Sequence, residues 1–131
     1  MPSRYEWMAG IVDGEGSIGA YQYGTGLRLQ LAVSMAHEPT IRRLKRIAGC
    51  GTICVRHPDG VHHKKTQWKL AVYGQQAADV LRLLKPHLFT KKSQAALLIR
   101  LADSMVMGVN RLTPTVRARR VRLITQLREE K

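Results

Sequence analysis

Met8-Ala9-Gly10-Ile11-Val12-Asp13-Gly14-Glu15-Gly16 decides how this chain is read. The stretch forms a short apolar helix with two glycines four residues apart, and it ends in two carboxylates. A glycine inside a helix costs about 1 kcal/mol relative to alanine. Gly10 and Gly14 share one face, because residues i and i+4 are neighbours on a helix. Small residues on one face permit close backbone approach of a second helix. Packing two copies there would carry Asp13 and Glu15 to a shared interface, where carboxylate oxygens suit a divalent cation such as magnesium. A carboxylate at a helix C-terminus also sits against the partly negative end of the helix, so Glu15 goes against its local electrostatic preference.

The helix is expected over about residues 3–15. Strands at Ser17–Tyr23 and Leu27–Met35 follow, joined around Gly24-Thr25-Gly26. In the second strand Leu27, Leu29, Leu31, Val33 and Met35 point one way, and Arg28, Gln30, Ala32 and Ser34 the other. A helix opens near Pro39, carries Ile41, Leu44 and Ile47 on its apolar face, and stops at Gly49. A second hairpin spans Gly51–Val72, with Pro58-Asp59-Gly60 and His62-His63-Lys64-Lys65 in its turn. Helices over Gln75–Leu84, broken by Lys85-Pro86, and Lys91–Met105 come next. A last helix, about 114–130, turns Val121, Ile124 and Leu127 inward. The order is αββαββα plus an additional C-terminal helix: an α+β fold in one domain, 1–131, without an internal sequence repeat.

The 131 residues hold 22 Lys and Arg against 9 Asp and Glu, a formal charge of +13. Such an excess favours a polyanionic partner, nucleic acid above all. No apolar run approaches a membrane span, and Met1-Pro2-Ser3-Arg4 leads into the helix without a secretory signal. An intracellular, non-secreted protein is expected, in a bacterial, archaeal or phage cytoplasm or an organelle matrix. Cys50 and Cys54 are the only cysteines. His57, His62 and His63 raise the question of zinc, but Cys54 falls mid-strand and the histidines fall in a turn, so free thiols are expected.

One face of the sheet carries Ser17, Tyr21, Tyr23, Arg28, Gln30, Ser34, Thr52, Arg56, Gln67 and Lys69. Alternation alone is compatible with a merely solvated face. The same residues suit base edges in the major groove, which admits a two-stranded ribbon: arginine pairs with guanine and glutamine with adenine. Arg42, Arg43, Lys45 and Arg46, with Arg117, Arg119, Arg120 and Arg122, form two further basic clusters. They read either as phosphate contacts or as solubilising helix surface. Trp7 and Trp68 read as core or interface residues.

Tyr5-Glu6-Trp7-Met8-Ala9-Gly10-Ile11-Val12-Asp13-Gly14-Glu15-Gly16-Ser17-Ile18 resembles the LAGLIDADG motif and its flanks. Met8 stands for the first leucine, and Glu15 keeps the final carboxylate. The motif names a family of homing endonucleases with intron maturases as relatives, and the downstream layout also fits. The resemblance implies a LAGLIDADG-like fold whose four-stranded antiparallel saddle lies on double-stranded DNA. A single motif implies a homodimer, with Trp7, Gly10, Ile11 and Gly14 at the interface. It also implies magnesium, with manganese substituting, held by Glu15 and the Gly14 carbonyl, and Asp13 organising the helix end and the turn into Ser17. Lys91 and His37 fall where similar proteins hold a basic residue near the cleavage centre and a polar residue that orients water. The implied activity is hydrolysis of both strands at a long pseudo-palindromic site, in the service of intron or intein mobility. The alternatives are an RNA-binding intron maturase and a non-cleaving DNA-binding regulator of the same fold.

Overall fold

The computed structural model describes residues 3–23, 26–59, 65–106, 122–127 and 129. Helix α1 (Arg4–Glu15), strands β1 (Gly16–Tyr23) and β2 (Gly26–Met35), helix α2 (Glu38–Ala48), strands β3 (Thr52–Arg56) and β4 (Gln67–Tyr73), helix α3 (Gly74–Leu84), a 3-10 turn (Lys85–His87) and helix α4 (Lys92–Val106) follow in that order. Residues 122–127 are again helical. The expected αββαββα order is met, and two helices, α4 and residues 122–127, follow it. The hairpin tips at Gly24-Thr25 and at Gly60–Lys64, the start of the last helix at Thr113-Pro114, and Val121 lie outside the described residues.

The boundaries have local causes. The Ser3 hydroxyl accepts the Glu6 N–H at 3.1 Å, one arm of a capping box, and starts α1. Gly49, at φ 74°, ends α2 in the left-handed region, where glycine carries no Cβ penalty. Pro86 cannot continue α3 as an α-helix, and the chain tightens into the 3-10 turn instead.

The four strands form one antiparallel sheet in the order β1-β2-β4-β3. Its inner face presents Ile18, Ala20, Leu29, Leu31, Val33, Leu70 and Val72, all buried. The helices cover that face with Met8, Ala9 and Val12 from α1, Ile41 and Leu44 from α2, Ala78, Leu81 and Leu84 from α3, and Leu98 and Leu101 from α4. Leu123 and Leu127 join the same core; in this last helix Leu123 is buried and Ile124 only partly so. Val55, on the inner side of edge strand β3, is 45% exposed: among the described residues no helix covers this end of the edge strand. No helix among the described residues is long and apolar enough to cross a membrane.

Candidate functional site

Helix α1 passes into β1 without a loop. The Gly16 N–H donates to the Val12 carbonyl and its backbone is already extended, at φ −81° and ψ 162°. A Cβ at Gly16 would lie 2.7 Å from that carbonyl, so only glycine allows so tight a junction. The consequence is a fixed position for the residue before it. Glu15 is exposed, on the last turn of α1 and at the end of the sheet where Gly16 pairs with Val33. Among the described residues nothing bonds its carboxylate.

Asp13 works differently. Its two carboxylate oxygens accept the Phe89 N–H at 2.9 Å and the Lys91 N–H at 3.0 Å. Beyond the expected role at the helix end and the turn into Ser17, Asp13 holds the segment before α4, 76 residues later in the chain. The local sequence shows only a carboxylate at a helix end and not which backbone amides it will meet. Lys91 completes the clamp, its Nζ donating to the Asp13 carbonyl at 2.7 Å. A lysine ammonium there both satisfies a helix-end carbonyl and opposes the negative end of the dipole. Lys91 thus contacts the motif helix, and its amine is engaged by the helix that carries Glu15.

His37 follows β2 at the same end of the sheet and caps α2. Its Nδ1 is paired with the Thr40 hydroxyl at 2.7 Å, so the ring is tied to the first turn of its own helix.

The outer face of the sheet holds Ser17, Tyr21, Arg28, Gln30, Ser34, Thr52, Arg56, Gln67 and Lys69, as alternation predicts; the Tyr23 backbone pairs with Gly26 at the far end of β1. Among the described residues no strand contains an acid. Tyr73, the last residue of β4, shares this face and lies under Arg28, whose guanidinium carbon is 4.8 Å from the ring centroid. Sequence reasoning missed it, because an aromatic beside Gly74 reads as the boundary to α3; continuing the alternation of Gln67, Lys69 and Ala71 by one step would have found it.

On the outer side of α1, Cβ atoms built at Gly10 and Gly14 meet nothing within 4 Å. Ile11 and Trp7 are half-buried. Arg43 lies over Trp7, 4.3 Å from the ring centroid, and Arg42 pairs with Glu38 at 2.7 Å. Half of the basic cluster on α2 is thus engaged within the chain, leaving Lys45 and Arg46 exposed near its C-terminus. Arg122 is exposed, and Arg117, Arg119 and Arg120 lie outside the described residues.

No group of three or more His, Cys, Asp or Glu able to hold a metal occurs among the described residues. Cys54 is exposed on edge strand β3, and Cys50 is half-buried. Burial pushes the Cys50 thiol pKa up, and the Asp79 carboxylate adds to it.

No protein-family model and no curated protein matches this sequence. Solved structures do match its fold. The homing endonuclease I-CvuI, in complex with its target, superimposes with a TM-score of 0.80 at 23% identity, covering 98% of this chain and 82% of that one. The archaeal intron-encoded homing endonuclease I-Vdi141I, complexed with DNA, gives 0.80 at 17% identity, covering 98% and 84%. The LAGLIDADG homing endonuclease I-GzeII, in complex with its DNA target, gives 0.72 at 21%, covering 95% of this chain but 43% of that longer one. An α-helix feeding a four-stranded antiparallel sheet with helices on one face is the fold of the LAGLIDADG homing endonucleases.

Proposed function

We propose that this protein is a site-specific double-stranded DNA endonuclease that acts as a homodimer. One observation carries the reading: α1 delivers an exposed, unclaimed carboxylate, Glu15, to the end of a sheet face that has no acid and presents Arg28, Arg56, Lys69, Gln30 and Gln67. Such a face can approach a polyanion closely, and its side chains match donor and acceptor patterns in the major groove. The structural neighbours I-Vdi141I and I-GzeII are described in complex with DNA, which supports DNA as the partner.

The dimer reading rests on the open Gly10 and Gly14 face. Two glycines cost helix stability with no return among the described residues, whereas a second α1 could approach there. I-GzeII, more than twice the matched length, fits the idea that two such units make one nuclease. Each unit, acting as a single domain, would read one half-site.

The donor set fits a hard divalent cation. Glu15 offers carboxylate oxygens and Gly14 a carbonyl, and the Val12 and Asp13 carbonyls beside them are taken by Gly16 and Lys91. One chain alone supplies too few ligands for a closed cage. That suits magnesium, which keeps waters and shares phosphate oxygens; manganese, with similar ligand preference, is expected to replace it. When bound, the metal would supply activation of water and stabilisation of the leaving oxygen. The chain's own part is positional: Gly16 fixes Glu15, and the Asp13 clamp holds Lys91 against the last turn of the same helix, where an ammonium would stabilise charge developing on the phosphate. His37, tied to Thr40, is placed to orient water at the same end of the sheet.

The test is Glu15→Gln. With magnesium, wild-type protein should cut a unique pseudo-palindromic site recovered from a randomised duplex library. The variant should bind that site with unchanged affinity and not cut it. Cleavage by the variant at the wild-type rate would remove Glu15 from the centre.

A further inference from the structure

Arg28 and Tyr73 form a pair on the sheet face at the end away from Glu15. Tyr73 is the register partner of Gln30, and Arg28 lies two residues before Gln30 on the same face of β2. Diagonal cross-strand neighbours, about 7–8 Å apart, are within reach of long and aromatic side chains. Because β4 ends at Tyr73, its ring is the last support that strand can give Arg28. Tyr21 flanks the other side as the register partner of Arg28. A Cβ at Gly19 would fall 2.6 Å from the Tyr21 hydroxyl, so the absence of a side chain at Gly19 is what lets Tyr21 lie along the sheet. Tyr21, Tyr73, Arg28, Gln30 and Lys69 wall a shallow depression of about 320 Å³.

Arginine side chains lose conformational freedom when they bind, and that loss weakens recognition. A guanidinium stacked on a ring is oriented beforehand. The stack engages its flat face, while paired recognition of guanine O6 and N7 uses its N–H edge. Arg56 extends from edge strand β3, where its one register partner is Gln67.

We propose that Tyr73 is a specificity-determining positioning residue, whose ring holds Arg28 for paired recognition of a guanine in each half of the DNA site. The inference rests on the nuclease reading above. Arg28 stands five residues from Val33, the partner of Gly16; at about 3.3 Å per residue that is about 17 Å. The guanine therefore lies several base pairs outside the centre of the site.

The experiment is selection of bound duplexes from a randomised library without divalent metal, followed by sequencing. It compares wild type, Tyr73→Ala, Tyr73→Leu, Tyr73→Phe and Arg28→Lys, with thermal denaturation as a check of folding. Wild type should prefer guanine at one position per half-site by roughly 5- to 150-fold, the range for a good bidentate pair. Tyr73→Ala, Tyr73→Leu and Arg28→Lys should weaken that preference about fivefold or more and leave the other positions as they were. Tyr73→Phe should restore it. Should the alanine variant fail to fold, the leucine variant, which keeps bulk without an aromatic face, decides the matter. Unchanged guanine preference in a folded non-aromatic variant, uniform loss at every position, or failure of phenylalanine to rescue would each overturn the inference while the nuclease reading stands. A wild-type protein that enriches no sequence would overturn both.

Discussion

Asp13 has the most consequential side chain that spacing alone could not explain. Its carboxylate takes the N–H groups of Phe89 and Lys91, so it acts as a cap supplied from outside for the segment that enters α4. Replacing a capping acid costs about 0.5–2 kcal/mol, and two lost bonds place Asp13→Ala near the upper end, about 2 kcal/mol. Asp13→Asn keeps one acceptor oxygen and should lose about half of that. Urea unfolding of the two variants is the check, and an alanine variant within about 0.5 kcal/mol of wild type would show that water replaces the carboxylate at no cost. The position of Asp13 in the motif was legible in the sequence. Its partners were not, because a contact across 76 residues leaves no local period.

Helix α1 shows the opposite case, in which the element was legible and its cost is the clue. Its apolar residues, its Ser3 cap and its abrupt end at Gly16 all follow from nearby chemistry. Strand β2 was equally readable, since Leu29, Leu31 and Val33 alternate with Arg28, Gln30 and Ser34 and the burial follows suit. Strand β3 was less so: Val55 carries an inward phase yet is exposed, because alternation encodes a face and not whether a helix reaches far enough to cover it. Gly10 and Gly14 separate folding from assembly. With nothing within 4 Å of either Cβ position, Gly10→Ala should raise the stability of the isolated subunit by about 1 kcal/mol. The same methyl would stand between two closely packed helices, so self-association should weaken. Unfolding of the dilute protein and sedimentation equilibrium read the two effects separately. A stabilised subunit with unchanged self-association would place the dimer contact elsewhere.

Charge is distributed so that the two sides of the sheet serve different ends. Glu38 pairs with Arg42, and Asp79 and Asp103 share Arg82, all on the helical side. Among the described residues the strands hold no acid, so the +13 excess is least compensated where DNA would lie. Surface pairs such as Glu38–Arg42 contribute little to stability. The excess itself opposes association of two copies until a polyanion is present. On the proposed reading DNA would be the third component of the assembly, and the charge excess would set its salt dependence. Each phosphate neutralised contributes about −0.9 to the slope of log K against log salt. A dimer that covers both half-sites should neutralise on the order of ten, and lose about 10³-fold or more in affinity between 50 and 200 mM salt. Fluorescence titration of a selected duplex across that range measures the slope. A loss below about tenfold would mean that the basic residues stay solvated, and the acid-free face would then need a different partner.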